Sequence, residues 1–289
     1  MFEVRPIDLT SAGMEETRKL LRVVYPHANH LTARYLDRLY NGNPVGPTSG
    51  YSAFEKGTLI GHYLMIPITA RIFGKEEVGM WPFQLATHPE FRGKGLFTAL
   101  AEASYAESRK KGYGYVTGVG NAMSTPLFVG KWGFQSVCRL DVKVGVGRAP
   151  TSRHRHDGKG DGDVDFARTW VKDGIAWRIH HNPTPYRVVH RGDVSHLFGA
   201  TGRYGIWAEI GAFERGLLPS GLAALRVPNP LRLWIGVDPS RDWSRSLYAD
   251  VPMRFRPSPL NLLFLDLTGE NRRFDPGRVR YDLFDFDAY

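Results

Sequence analysis

An α/β fold, in finer terms an α+β arrangement of a mixed, mostly antiparallel sheet flanked by helices, is what this sequence predicts. Three observations carry the expectation. Strand-like segments at Tyr51–Phe54, Leu59–Ala70 and Val78–Thr87 are separated by the turn stretches Glu55-Lys56-Gly57-Thr58 and Phe73-Gly74-Lys75. Trp81–Leu100, WPFQLATHPEFRGKGLFTAL, reads as a strand, a short turn and the opening of a helix. A strand at Tyr113–Val119 then completes a strand–helix–strand unit behind the hairpins.

Taken in order, Glu3–Ile7 forms a first strand with Phe2, Val4 and Ile7 as its apolar members. Glu15–Val24 follows as a helix with Leu20, Leu21 and Val24 on one side. Leu31–Leu39 reads as a second helix, and the loop from Asn41 through Gly50 is rich in turn residues. After the hairpins, Pro89 fixes its own φ and pushes His88 out of the helical region, so the strand stops there. The helix from Leu96 runs to Lys111, and Arg109-Lys110-Lys111 suit its negative end as a solvated cap. Pro126 fits the first helical position behind a Ser124 or Thr125 cap, and Gly133 fits a helix stop. Cys138, Leu140, Val142 and Val144 alternate with Arg139, Asp141 and Lys143, the pattern of one half-buried strand; Cys138 is then a core residue rather than a nucleophile.

Gly147–Asp163, GRAPTSRHRHDGKGDGD, holds almost nothing that could be buried and reads as a flexible linker. His154, His156 and Asp157 lie in it, but no metal site is predicted there. The domains are therefore set at 1–146 and 164–289, joined by 147–163. The second half resumes with Val164–Trp177, Tyr186–His190, Tyr204–Ile210, Leu231–Val237 and Leu260–Leu267, mostly strand-like, and a helix at Ser220–Leu225. Asp285 and Asp287, two residues apart, read as a solvated edge or as a contact for a cationic substrate.

Composition narrows the function classes. A chain of 289 residues fits two domains, and 42% hydrophobic with 12% aromatic residues is enough to build cores. No apolar run is long enough for a membrane helix, and the N-terminal MFEVRPIDLT has no signal-peptide pattern. The single cysteine excludes an internal disulfide and a cysteine-based zinc finger. Cytoplasm is the expected compartment. The net charge of +9 is scattered, without a lysine-rich tail or a nucleic-acid motif, so neither nucleic acid nor a membrane is an expected partner. Anionic small molecules account for it as well.

The chemistry is concentrated at Arg92-Gly93-Lys94-Gly95. Two glycines at a helix start let the backbone approach a ligand, with free N–H groups and the positive dipole end facing it. Arg92 and Lys94 add charge. This is a construction for a phosphate or pyrophosphate, although a plain glycine-bearing strand-to-helix turn has the same pattern. It is neither a Walker A loop nor a G-x-G-x-x-G fingerprint.

This order of elements resembles the GCN5-related N-acetyltransferase (GNAT) superfamily of acyl-CoA-dependent acyltransferases. Its motif Q/R-x-x-G-x-G/A is matched by Arg92, Gly95 and Phe97 with Gly93 and Lys94 between, and the family's K-x-G-F by Lys131-Trp132-Gly133-Phe134. The resemblance covers residues 1–146. It implies acetyl-CoA as co-substrate and no metal. Backbone groups at Leu85 and Thr87 would pair with the pantetheine arm, and the amides from Arg92 through Leu96 to Phe97 would hold the pyrophosphate. Asn121 would add to the cofactor site, and an N–H at Leu85 or Ala86 would polarise the thioester carbonyl. Two positions depart from the pattern. Phe97 replaces Gly or Ala, crowding the helix start, and Val129 stands where many members carry a proton-donating Tyr. The second half resembles the C-terminal part of a two-lobed subgroup, through Ala176-Trp177-Arg178, His181-Asn182-Pro183, Tyr186 and Tyr281–Asp287. That implies a degenerate second GNAT-like lobe that shapes the acceptor site.

For the acceptor, the family's usual layout points to Tyr40 and Asn43, although a polar connecting loop accounts for either residue singly more readily. His62 and Gln84 lie on or near the cleft strands, as does His88; no general base or acid is assigned among them. The expected activity is transfer of acetyl to the amine of a small molecule, an amino sugar or sugar nucleotide by resemblance, by direct transfer in a ternary complex. The alternatives are an antibiotic, polyamine or protein amine as acceptor, or a catalytically inactive acyl-CoA-binding protein. A homodimer is compatible with either reading.

Overall fold

The computed structural model describes residues 2–152, 164–181, 185–226 and 229–286. Among them are fifteen strands and five α-helices, the mixed α/β class expected. Their contacts fall into two compact units. The first is Met1–Ile68, Val78–Thr117 and Leu267–Gly269; the second is Thr69–Glu77, Gly118–Asp266 and Glu270–Tyr289. The expected linker lies outside the described residues from 153 on, and His154, His156 and Asp157 with it. No helix among the described residues is long and apolar enough to cross a membrane.

In the first unit, β1 (Glu3–Pro6) precedes α1 (Ser11–Val24). This helix begins earlier than its apolar periodicity because the Thr10 hydroxyl accepts the Gly13 N–H at 3.3 Å, and it buries Met14, Thr17, Leu20 and Leu21. Thr32 caps α2 (Ala33–Asn41) in the same way by accepting the Tyr35 N–H at 3.2 Å. The helix therefore starts at Ala33 and carries Tyr40 inward with Leu36 and Leu39. Strand β2 (Ser49–Glu55) pairs antiparallel with β1 and with β3 (Thr58–Ile72). Their two-residue turn has positive φ at both Lys56 and Gly57, the form whose twist matches a hairpin. Strand β4 (Lys75–Thr87) lies between β3 and β5 (Tyr115–Gly120), with which it pairs in parallel at Met80 and Val116. Helix α3 (Leu96–Lys110) buries Leu96, Leu100, Ala101 and Tyr105. It sits close enough to β3 that a Cβ on Gly61 would stand 3.1 Å from Leu100 Cδ1, which anchors the helix start against the sheet.

In the second unit, α4 (Thr125–Trp132) ends at Gly133 in the left-handed conformation, as expected. Its start differs from the expectation. Ser124 makes no side-chain cap; the Asn121 carboxamide oxygen accepts the N–H groups of Met123 and Ser124, both at 2.9 Å. The single strand expected through Val144 is two strands, β6 (Gln135–Arg139) and β7 (Asp141–Val146). They separate at the buried Leu140, whose N–H donates to the Leu260 carbonyl. After β8 (Phe166–Arg168) the chain enters α5 (Lys172–His181), so Trp177 is helical and Val164–Trp177 is not one strand. Then come β9 (Tyr186–Arg191), β10 (Val194–Ala200), which went unread in the sequence, β11 (Trp207–Glu214), β12 (Leu231–Val237), β13 (Tyr248–Asp250), β14 (Asn261–Asp266) and β15 (Val279–Asp282).

β6 pairs with β14, whereas β7 pairs with β12 and β13. Ser220–Leu225 is not a helix: Gly221 has φ +91° and Ala224 bridges to Val188. Nor is Asp285 a solvated edge. It is buried in the turn Leu283–Asp285, where its carboxylate accepts the Trp170 indole N–H and the Asp282 N–H, each at 2.8 Å. Asp287 lies outside the described residues.

Candidate functional site

The end of β4 is where the first unit departs from regular structure. Trp81 and Phe83 are buried, then Gln84 takes φ +47° and the next buried residue is Ala86. The inside–outside alternation therefore slips by one residue at Gln84, as an extra residue in a strand makes it do. Such a slip frees backbone groups from the ladder and re-aims the residues beyond it. The Leu85 carbonyl is met by the Tyr25 hydroxyl, which donates to it at 2.7 Å across sixty residues of sequence. Just past β4, the His88 N–H donates to the Ile60 carbonyl of β3. The His88 Nδ1 is buried without a partner, and its ring meets Phe91 edge-on.

One 3₁₀ turn, Pro89–Phe91, then leads into the glycine loop. Gly93 and Gly95 have φ +75° and +78°, the left-handed region that glycine enters at little cost. A Cβ at either would meet nothing within 4 Å, so conformation rather than space selects glycine here. Gly95 is the N-cap of α3, and no side chain caps that end. The first-turn N–H groups have no intrahelical acceptor, the first turn carries no acidic residue, and residues 92–95 are exposed. Lys94 lies over the Phe91 ring at 4.5 Å. The outcome is an exposed, uncapped helix N-terminus preceded by two exposed cations, Arg92 and Lys94, a donor set suited to an anion. Phe97 does not obstruct it: its ring packs on buried Tyr63 at 5.5 Å, and the Tyr63 hydroxyl is 2.5 Å from that of Tyr105.

Three of the four acceptor candidates meet in one buried network. The Tyr40 hydroxyl donates to Gln84 Oε1 at 2.8 Å and lies 3.0 Å from His62 Nε2; His62 Nδ1 is 3.2 Å from the Ser52 hydroxyl. Since Tyr40 has one proton and gives it to Gln84, it accepts from Nε2–H, and Nδ1 then accepts from Ser52. Every donor points the same way, toward Gln84. Burial pushes the His62 pKa down to about 4 and the Tyr40 hydroxyl up, so the chain is neutral. A neutral imidazole bonded at both nitrogens orients its neighbours; it is not poised to take a proton from an amine. Asn43 is not part of this network. It is buried, donates to the Pro67 carbonyl and accepts the Val45 N–H.

Residues 5–137 match the family model for an acetyltransferase (GNAT) domain. This segment is a GNAT acetyltransferase domain. Solved structures agree on the fold. A conserved protein of Enterococcus faecalis described as a probable N-acyltransferase is similar with a TM-score of 0.63 at 10% identity, over 92% of this chain and 73% of that one. A GCN5-related N-acetyltransferase of Anabaena variabilis gives the same four values. Eis1 of Mycobacterium abscessus has a TM-score of 0.59 at 12% identity, over 92% of this chain and 74% of that one. A search of curated proteins returned no match.

The matched segment is thus an acetyltransferase domain, and its coarse chemistry is acyl-CoA-dependent acetyl transfer. Arg92–Phe97 and Leu85–Thr87 belong to adjoining stretches of the first unit, which also holds Tyr40 on α2, His62 on β3 and Gln84 on β4. Asn121 belongs to the second unit, where its carboxamide oxygen serves the α4 start. Val129, on α4, is exposed. Sequence reasoning missed Ser52 and Tyr25, which join the site through contacts distant in the chain and carry no local motif.

Proposed function

We propose that this protein is an N-acetyltransferase that moves the acetyl group of acetyl-CoA to the amine of a small molecule, with an amino sugar or sugar nucleotide as the acceptor class. One observation carries the reading: the exposed, uncapped N-terminus of α3, with Gly93 and Gly95 both left-handed and Arg92 and Lys94 exposed in the same loop. In this reading the amides of Gly93 to Phe97 and the two cations hold the pyrophosphate. The backbone of Leu85, Ala86 and Thr87, on β4 beyond the Met80–Val116 pairing with β5, receives the pantetheine arm. The Leu85 carbonyl keeps a second lone pair beside the Tyr25 bond.

Acetyl-CoA supplies the thioester carbon that the amine attacks; the chain supplies orientation. An N–H at Leu85 or Ala86 stabilises the carbonyl oxygen as charge develops on it. Gln84, with its oxygen committed to Tyr40, retains its NH2 group for an acceptor hydroxyl or for water. Holding amine and thioester together accounts for much of the rate. Residues 164–289 are assigned to a degenerate second GNAT-like lobe, and the net charge of +9 favours an anionic acceptor such as a sugar nucleotide over a polyamine. The test is CoA thiol release from acetyl-CoA against a panel of amino sugars, amino sugar nucleotides, polyamines and aminoglycosides. Release with the sugar classes is expected. Release only with polyamines or aminoglycosides would replace the acceptor class, and acetyl-CoA binding without release on any amine would replace the enzyme reading.

A further inference from the structure

The second unit carries a sheet face with more guanidinium than carboxylate. Directly opposed residues of neighbouring strands share a face, and register places Arg187 opposite Phe198, Phe198 opposite Glu209, and Glu209 opposite Trp234. Arg191, four residues along β9 from Arg187, and Arg232, two residues before Trp234, fall on that same face. Its floor is a closed ionic cluster. Buried Glu209 is 3.4 Å from Arg241 and 3.5 Å from His196 Nδ1, and Arg241 Nε is 3.3 Å from Asp238. Burial works to raise the Glu209 pKa, but Arg241 and His196 outweigh it and hold the carboxyl below its ordinary value. Those carboxylates are therefore spent on Arg241.

Arg191 is left over. Its side chain makes no hydrogen bond or ion pair among the described residues, and its Nε is buried without a partner. Burial first, then Arg148 and to a smaller extent Arg232, push its pKa down; Glu209 and Tyr248 only partly offset them. Arg148 is exposed and likewise has no hydrogen bond among the described residues. Arg232 spends one nitrogen on the Asn229 and Leu231 carbonyls and lies over the Phe198 ring at 5.9 Å. Tyr248, within electrostatic reach of Arg191 and Arg232, is pushed up to about 12 by burial and so keeps its hydroxyl proton. A half-buried guanidinium within the field of two others, with its Nε shut away from water and unpartnered, is costly unless something anionic completes it.

We propose that Arg191, Arg148 and Arg232 form a recognition site for a phosphate group of a small molecule on this face of the second unit. The planar forks of arginine match oxyanions bidentately. Several guanidiniums converging on one group suit a phosphate monoester, which carries about −1.5 to −2 at pH 7, better than a single carboxylate.

The test uses the full chain carrying Gly95→Glu, which blocks phosphate at the α3 turn. Inorganic phosphate, glycerol phosphate and acetate are titrated by calorimetry and by thermal melting. The expected result is one saturable site for both phosphates, with a phosphate-dependent rise in melting temperature. Arg191→Gln should weaken it at least tenfold while leaving the melting temperature without phosphate unchanged or higher, because an unpaired charge has been removed. Arg148→Gln, an exposed change with no fold to lose, should weaken binding as well. Phosphate affinity indifferent to both substitutions would overturn the site, as would a fall in the phosphate-free melting temperature of Arg191→Gln. Inorganic phosphate binding without glycerol phosphate would overturn the small-molecule ester, and acetate binding as tightly would overturn phosphate.

Discussion

Gly95→Glu separates the fold of the glycine loop from its proposed use. The substituted residue would sit at φ +78°, where a non-glycine residue costs about 1–2 kcal/mol. Its Cβ would meet nothing within 4 Å, so no packing penalty is added. A carboxylate at an uncapped helix N-terminus returns about 0.3–1 kcal/mol. The fold should therefore lose about 1 kcal/mol, a fall in melting temperature of roughly 2–4 °C. Binding should respond far more. Each repulsion between the carboxylate and a pyrophosphate charge at about 5 Å costs about 0.8 kcal/mol in water and about 3 kcal/mol at an effective dielectric of about 20. Because residues 92–95 are exposed, the lower part of that range applies, and two charges give about 2–3 kcal/mol, or roughly 30–150-fold in affinity.

The assay is calorimetric titration of acetyl-CoA into wild type, Gly95→Glu and Gly95→Ala at low and high salt. Gly95→Ala carries the same backbone cost without the charge and should lose less than about tenfold; salt should narrow the gap between the two variants. Unchanged affinity in Gly95→Glu would remove the loop from the binding site. Equal losses in both variants would show that strain, not charge, governs the loop.

The remaining predictions address groups that the fold buries. His62 has a folded pKa of about 4, below its unfolded value of about 6.5, so the unfolded state binds the extra proton between those values. Stability is then full above pH 6.5 and should fall by up to about 3 kcal/mol as pH drops toward 4. Denaturant melts across that window should show the slope in wild type and its loss in His62→Gln; a flat wild-type profile would contradict the buried neutral imidazole. Asp285→Ala leaves the Trp170 indole N–H and the Asp282 N–H without their acceptor, a cost of about 2–4 kcal/mol, whereas Asp285→Asn retains an oxygen and should cost less. Equal melting curves for the two variants would show that the carboxylate oxygen is not what Trp170 needs. Burial pushes the Cys138 thiol up to about 11, so at pH 8 the native protein should react with a disulfide reagent roughly 100-fold more slowly than the denatured chain. Immediate stoichiometric labelling of native protein would contradict that placement.

The parts of the fold legible in the sequence are those whose determinants are local. Lys56-Gly57 supplies the turn between β2 and β3, Pro89 ends β4, Gly133 ends α4, and the exposed amides at Gly93–Gly95 announce themselves by composition. Helix starts were shifted where a hydroxyl outside the apolar pattern does the capping, as Thr10 and Thr32 do. The misreadings share a different cause. Cys138 to Val144 alternates without a break, and nothing in that alternation tells that the chain exchanges β14 for β12 at Leu140. Asp285 has the identity of a solvated edge residue, and only Trp170, more than a hundred residues away, makes it an interior acceptor.

The same division runs through the candidate site. Its glycine-loop half depends on backbone conformation at consecutive residues and could be read directly. Its inner half depends on which side chains meet: Ser52 on β2, His62 on β3, Tyr40 on α2 and Gln84 on β4 form one chain, and Tyr25 reaches Leu85 from the end of α1. The two departures from the family pattern are also resolved by packing, in opposite senses. Phe97 is absorbed by Tyr63, so a bulky residue there leaves the helix start exposed. Val129 has no such compensation, because no packing can give an alkyl side chain a proton to donate. In the proposed reaction the departing thiolate must then be protonated by water or by a hydroxyl from another element. Positioning along β4 and α3, rather than a dedicated acid at Val129, becomes the main source of rate.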